Sequence, residues 1–340
     1  MGRAMTKHSL VKKGNKQDPS YVLMNKNVPA KKYKAGQRTQ RNLRFVVNGP
    51  ASGAETTHTI DIAQCLSAIN RRAYSQQAYY YVSKITVHNS GTAWVRAITL
   101  PDNWVTLAAY KRARRIYYEQ LSRTLRNGDI NIRAIGKYHD FRVGINASHD
   151  FLNNELPVDY LTSPGAGDSF TVDEWTQSQV VSGDPVGATS HNGVEYTMHM
   201  LGGATGNQIG LIQSYASTRP YPQNSDPQLL PDFDTDVLSM MFNDGDTMDE
   251  VLDNLDQEYD EPPYNRDLYP GEDNNHMVVQ AQCATGDGSG EVAYTGPLCV
   301  PLGLLRMVVR GTGDAAVGSI EINVELTPGP YKGVYAERIE

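Results

Sequence analysis

YYYVSKITVH at residues 79–88 and AWVRAITL at residues 93–100 are the stretches on which the fold reading turns. Both are rich in β-branched and aromatic residues, which suit a pleated, half-buried surface. Between them Asn89-Ser90-Gly91-Thr92 is turn chemistry, so the spacing predicts an antiparallel pair of strands. Upstream, LRFVV at 43–47 and THTI at 57–60 read as two further short strands, the first closed by Asn48-Gly49-Pro50. Residues 61–72 predict an amphipathic helix of about three turns, with Ile62, Cys65, Leu66 and Ile69 on one face.

Downstream, Pro101-Asp102-Asn103 opens the longest helical pattern, from Trp104 to about Arg126. Trp104, Leu107, Tyr110, Ala113, Tyr117, Leu121 and Leu125 form its apolar stripe. Lys111, Arg112, Arg114, Arg115, Arg123 and Arg126 fall on the other faces, suited equally to phosphate contact and to a solvated face paired with carboxylates. Beyond residue 130, strands are expected at 138–145, 172–181, 195–201, 208–217, 276–284, 304–310 and 317–326, parted by turn-rich segments such as 163–168 and 286–290. Roughly ten or eleven strands with a few helices and no βαβ alternation imply a mainly β fold, an antiparallel sandwich with inserted helices.

Charge divides the chain. Residues 1–44 hold twelve basic groups, Arg3, Lys7, Lys12, Lys13, Lys16, Lys26, Lys31, Lys32, Lys34, Arg38, Arg41 and Arg44, against one acid, Asp18, a net of +11. The other 296 residues carry nineteen basic and 37 acidic groups, a net of −18. Residues 1–42 show no period of a helix or strand and too little apolar surface to offset ordering, so they are expected to be a disordered basic arm on a body at 43–340. A cationic arm on an acidic body points to a polyanion as partner of the arm alone. Residues 226–273 hold sixteen acids and one base, Arg266. Short helices are expected there at 234–242 and 247–255. The segment reads as an acidic insertion, because the strands that follow need partners from the first part of the chain.

Motifs for chemistry are missing. There is no GxxxxGK[ST], GxSxG, HExxH or His-x-His pattern, and the Gly165-Ala166-Gly167 start of a dinucleotide fingerprint runs into Phe170. Asp232, Asp234 and Asp236 begin like a calcium loop, but Val237 and Asn243 stand where glycine and glutamate are needed. The segment then reads as acidic surface, with an intersubunit calcium site as the alternative. Cys65, Cys283 and Cys299 are too widely spaced for a zinc site or a disulfide framework and read as small buried hydrophobes. No apolar run approaches a membrane span, and the basic start lacks the apolar core of a secretory signal. These readings predict no enzymatic activity, no cofactor, no metal and no membrane partner.

Three stretches resemble a known family. LPDNWVTLAAYKRARR at 100–115 is similar to the aromatic and basic helix of coat proteins of circular, Rep-encoding single-stranded DNA viruses of environmental type. YDEPPYNRDLYPG at 259–271 resembles their acidic segment, and LGLLR at 302–306 with VELTPGPYKG at 324–333 resembles their closing strand and tail. The resemblance implies a jelly-roll capsid protein that assembles with copies of itself into an icosahedral shell around single-stranded DNA, located in the virion and, during assembly, in the host nucleus. The twelve arm cations named above would be its nucleic-acid-binding residues, and Lys31-Lys32-Tyr33-Lys34 suits nuclear import as well as phosphate. The alternatives are a viral nucleoprotein or movement protein using the same arm without a shell, and a β-sandwich hydrolase or lectin.

Overall fold

The computed structural model describes residues 38–129, 135–158, 170, 174–182, 193–219, 262–265, 268–286, 291–313 and 316–339. Residues 1–37 of the basic arm, the two helices expected at 234–242 and 247–255, the calcium-like stretch and the 163–168 loop lie outside them.

Along the chain run β1 (Asn42–Asn48), β2 (Glu55–Asp61), α1 (Ile62–Asn70), β3 (Ala78–His88), β4 (Ala93–Thr99) and α2 (Trp104–Asn127). A short 3-10 helix (Phe151–Asn153), β5 (Gln179–Ser182), β6 (Val194–His199), β7 (Gln208–Gly210) and α3 (Leu211–Ser217) follow. The chain ends with β8 (Val278–Thr285), β9 (Val292–Tyr294), β10 (Leu298–Pro301), β11 (Leu304–Gly311), β12 (Ser319–Leu326), β13 (Pro328–Gly329), β14 (Gly333–Val334) and β15 (Ala336–Arg338).

Two antiparallel sheets face each other, in the orders β1-β12-β3-β10 and β2-β11-β4-β8, with β9 and β15 added alongside β3. The pairings nest. β1 lies on β12, β2 on β11, β3 on β10 and β4 on β8, so that among these eight strands the first meets the last and each next meets the one before it. Such nesting is a long hairpin rolled onto itself, the jelly roll. The segment between β4 and β8 holds all the described helix of α2 and α3 and the small β5-β6-β7 sheet.

The hairpin expected from residues 79–100 is not formed. β3 and β4 are both strands, but they belong to different sheets, and Asn89–Thr92 crosses between them. The turn is tied down by Asn89, whose Oδ1 accepts from Gly91 N at 3.0 Å and whose Nδ2 donates to Thr285 Oγ1 on β8 at 3.0 Å. β3 takes β12 as its neighbour instead, with Ile85 opposite Val324 and Val87 opposite Ile322. A bulge leaves Ser83 unpaired between Lys84↔Glu325 and Val82↔Leu326. One extra residue reverses the phase of the strand. Tyr80 and Val82 before it and Ile85 and Val87 after it therefore all face the core.

The expected strand at 138–145 is an irregular segment with one bridge, Gly144 to His199. That at 208–217 divides into β7 and α3, because Leu211, Ile212 and Tyr215 turn together onto one apolar cluster, as only helical spacing allows. Of the described part of 172–181, residues 174–181, the end lies in a strand, β5. β9, β10 and β13 to β15 were not expected, and all are four residues or fewer.

Two apolar clusters result. Inside the sandwich, Leu43, Phe45 and Val47 of β1 meet Ile320, Ile322 and Val324 of β12 and Leu305, Met307 and Val309 of β11. Each such buried side chain contributes about 2 kcal/mol by removal from water. A second cluster joins Val105, Ala109, Tyr110 and Ala113 of α2 to Phe141, Val143, Met200, Ile212, Leu302 and Ile339. The insertion is thereby packed on the end of the sandwich where β4 leaves and the β10–β11 turn lies. Segment 154–158 lies along one edge of each sheet, with Glu155 N donating to Thr59 O of β2 at 2.8 Å and Val158 N to Arg44 O of β1 at 2.8 Å. Covered edges cannot pair with other chains.

On the outer face of the first sheet, Arg44 Nε lies 2.9 Å from Glu321 Oε1 and Nη2 donates to Oε2 at 3.0 Å. This forked pair ties β1 to β12, and the guanidinium holds the Glu321 carboxyl below its ordinary value. A depressed carboxylate contributes stability above its unfolded value and loses it as pH falls through the folded one. Glu321→Gln is expected to destabilise the fold by about 3 kcal/mol at neutral pH, since Arg44 is left buried without its counter-charge. It should also flatten the acid limb of stability below about pH 4.5 in denaturant titrations.

Candidate nucleic-acid interface

Of the twelve arm cations, Arg3, Lys7, Lys12, Lys13, Lys16, Lys26, Lys31, Lys32 and Lys34 lie outside the described residues. Arg38 and Arg41 are exposed on the approach to β1. Arg44 differs from its expected role. It is 6% exposed and its fork is engaged by Glu321, so it holds two strands together and is not presented to a phosphate. A cation inside a strand pair is a different object from one on the arm, and a charge count does not separate them.

The described body has a cationic site of its own. A cleft of about 400 Å³ lies where the α1–β3 loop, α2, the 137–142 segment and the C-terminal strands converge. Five cations line it, Arg114, Lys137, Arg142, Lys332 and Arg338, with one carboxylate, Asp140. Among the described residues none of the five is in an ion pair. Asp140 is occupied by neutral donors, accepting from Ser75 Oγ at 3.0 Å, Gln76 N at 3.2 Å and Gln77 Nε2. Four tyrosines are interleaved with the cations: Tyr74, Tyr118, Tyr138 and Tyr331. Arg114 lies 5.4 Å from the Tyr118 ring centre, Lys137 5.6 Å from Tyr138, Lys332 5.2 Å from Tyr331 and Arg338 5.4 Å from Tyr331.

Hydrogen bonds join the walls. Gln76 Oε1 accepts from Val143 N at 2.7 Å and its Nε2 donates to Val143 O at 3.1 Å, fastening the 137–143 segment beside the start of β3. Gln76 Nε2 also reaches Asp61 Oδ2 at 3.3 Å, where Trp175 Nε1 donates at 2.9 Å. Asp61 Oδ1 caps α1 by accepting from Ala63 N at 2.9 Å and Gln64 N at 3.2 Å. Burial pushes the Asp61 carboxyl up to about 6 against these donors. Arg142, 8% exposed, stacks 4.0 Å from the Trp175 ring centre.

The first residue of the body lies beside this cleft. Thr39 opens the compact unit Thr39–Glu340, and its hydroxyl donates to Lys332 O at 2.8 Å, which also accepts from Tyr74 OH at 2.9 Å. Lys332 and Gly333 take left-handed backbone, φ 50 and 99, and a Cβ on Gly333 would collide with Thr39 Oγ1.

Of the α2 cations only Arg114 reaches the cleft; Lys111, Arg112, Arg115, Arg123 and Arg126 are exposed, with Arg115 paired to Glu119 at 3.7 Å. The Tyr79-Tyr80-Tyr81 run, a sequence candidate for base stacking, does not line it, and Tyr80 is buried in the core with its hydroxyl on Ser75 O at 2.6 Å. Lys137-Tyr138 and Tyr331-Lys332 were missed. Adjacent basic and aromatic residues were the available signal, diluted by twenty tyrosines in the chain.

Other titratable groups have structural partners. His149 receives Ile145 N at 3.0 Å and meets Asn154 Oδ1 at 2.7 Å, His199 Nδ1 meets Leu201 O at 2.8 Å, and burial lowers both imidazoles. The three cysteines are free, and burial pushes Cys283 and Cys299 up to about 11. Among the described residues no three His, Cys, Asp or Glu side chains gather as a metal site, and no helix is long and apolar enough to cross a membrane.

Gly333→Ala is expected to cost about 1 kcal/mol or more, because the left-handed φ and the Thr39 contact both oppose a Cβ. Denaturant unfolding measures the loss, and limited proteolysis should show earlier cleavage near residue 39. No protein-family model, curated protein or solved structure matches this chain.

Proposed function

We propose that this chain is a viral capsid protein whose jelly-roll body assembles with copies of itself into a closed shell, and whose basic N-terminal arm packages a single-stranded genome. The observation that carries the reading is the charge division. A net of +11 in residues 1–44 is joined to a body of net −18. A polyanion is thereby attracted to the arm and repelled by the net charge of the body. With Arg44 taken up by Glu321, eleven cations less Asp18 leave a net of +10 per copy, so a shell of sixty copies would bring roughly 600 arm charges inside, enough to offset hundreds of phosphates without reading their sequence. The nested sandwich, with segment 154–158 over one pair of sheet edges, suits assembly through loops and faces. DNA as the cargo rests on the family resemblance, as does location in the virion and the host nucleus.

Electron microscopy of the purified full chain is expected to show uniform closed particles of roughly 15–40 nm. A monomer at every salt and protein concentration would remove the shell from the reading and leave the nucleoprotein alternative. Replacing the nine cations from Arg3 to Lys34 by glutamine is expected to leave particles intact while nuclease-protected nucleic acid falls at least about tenfold. Undiminished protection in that variant would take packaging away from the arm.

A further inference from the structure

We propose that the cationic cleft of the body is a second nucleic-acid site, one that holds a nucleotide of the single strand in a fixed pose, its base on a tyrosine ring and its phosphate on the arginines. The proposal rests on the packaging function and assigns it a place on the folded body.

Three features separate this cleft from an ordinary solvated basic surface. First, the cations are unmatched. A body with nearly twice as many acids as bases gathers five of its cations in one concavity, and none is paired among the described residues. Second, two guanidiniums have donors out of water with nothing to receive them. Arg114 Nε and Arg142 Nε are buried and meet no acceptor among the described residues, and the Arg142 residue is 8% exposed. A buried charged donor without an acceptor is costly, and an arriving phosphate oxygen removes that cost. Third, flat rings stand among the charges. Tyr138 is 66% exposed, with Lys137 Nζ 5.6 Å from its ring centre, so much of the ring meets solvent where a base can stack beside a cation. Cations interleaved with aromatic faces are what a single strand needs, because each nucleotide presents one phosphate and one π-face. The cleft volume of about 400 Å³ falls within the usual range for small-ligand sites, about 300–1,000 Å³.

The arm and the cleft would then divide the work. The arm neutralises phosphate diffusely, and the cleft fixes the strand on the folded body.

The test uses the full-length chain with the nine arm cations replaced by glutamine, so that binding at the body is read alone. A fluorescein-labelled twelve-residue oligothymidylate is the probe, with heparin as a polyanion that carries no bases. Residual oligonucleotide binding is expected, with ultraviolet cross-links mapping to Tyr138, Tyr118 or Tyr331. Adding Tyr138→Ala should weaken it about fivefold or more and leave heparin binding unchanged. Adding Arg114→Gln with Lys137→Gln should weaken both ligands and reduce the oligonucleotide salt slope by about 0.7 for each phosphate that is no longer neutralised. Circular dichroism and particle formation would confirm that these variants fold. If oligonucleotide binding ignores all three substitutions while the wild-type chain still packages, the cleft proposal is wrong and the packaging function stands. Equal loss of heparin and oligonucleotide with Tyr138→Ala would make the cleft a general anion site and overturn the base contact. If the substitutions abolish association between copies and leave oligonucleotide binding intact, the cleft serves an acidic segment of a second copy instead. A wild-type chain that binds no nucleic acid would overturn both readings.

Discussion

The pairing of β1 with β12 is the constraint on which the rest of the molecule depends. These strands come from opposite ends of the body, Asn42–Asn48 and Ser319–Leu326, and they lie together in register along their whole length. Once the first strand is on the last, the nesting of the other pairs follows, because each inner pair has to fit between the ends already joined. The contact is made on both faces. Leu43, Phe45 and Val47 enter the sandwich core, while Arg44 reaches diagonally to Glu321 on the outer face. The apolar side supplies most of the free energy, and the forked ion pair selects the register. A slip of one residue would send Arg44 inward and Phe45 outward.

The same pairing determines where the candidate site lies. Bringing the start of the body to its end puts Thr39 on Lys332, and β15 pairs with the beginning of β3 close by. The insertion between β4 and β8 completes the wall, through Arg114 on α2 and the 137–142 segment. Four remote parts of the chain thus supply one cleft. Its walls are joined by hydrogen bonds, with Gln76 fastening Val143 and Asp140 taking up Ser75 and Gln77, so among the described residues the five cations are free of carboxylates. Electrostatics of this kind favours an external anion, since the charges are organised before any ligand arrives.

Much of the fold was legible in local pattern. The strands at 42–48, 55–61, 78–88, 93–99, 278–285, 304–311 and 319–326 and the helices at 62–70 and 104–127 all fall where alternation or helical spacing indicated them. The failures have physical causes. The hairpin of β3 and β4 was misassigned because turn chemistry at Asn89–Thr92 specifies a reversal of the chain and not the sheet on which the chain then lies. The bulge at Ser83 was hidden, since it appears only as a change of phase that β12 has to accommodate. Residues 138–145 have strand composition, but side chains such as Gln76 and Ser178 take part of their backbone groups and the backbone pairing at Gly144 and Ile145 is too short to make a ladder.

For the site the balance differs. The amino-acid sequence by itself determined the charge division, a net of +11 in the first 44 residues against −18 in the rest, because net charge is additive and needs no geometry. It also determined the sandwich class, because a period of two commits a strand to one buried face. Only the tertiary structure decided that Arg44 is bound to Glu321 while Arg114, Lys137, Arg142, Lys332 and Arg338, spread over more than two hundred residues, share one cleft. Whether a cation is neutralised or left to meet a ligand depends on which carboxylate the fold brings within 4 Å, and that distance is set by strand pairings between residues far apart in the chain.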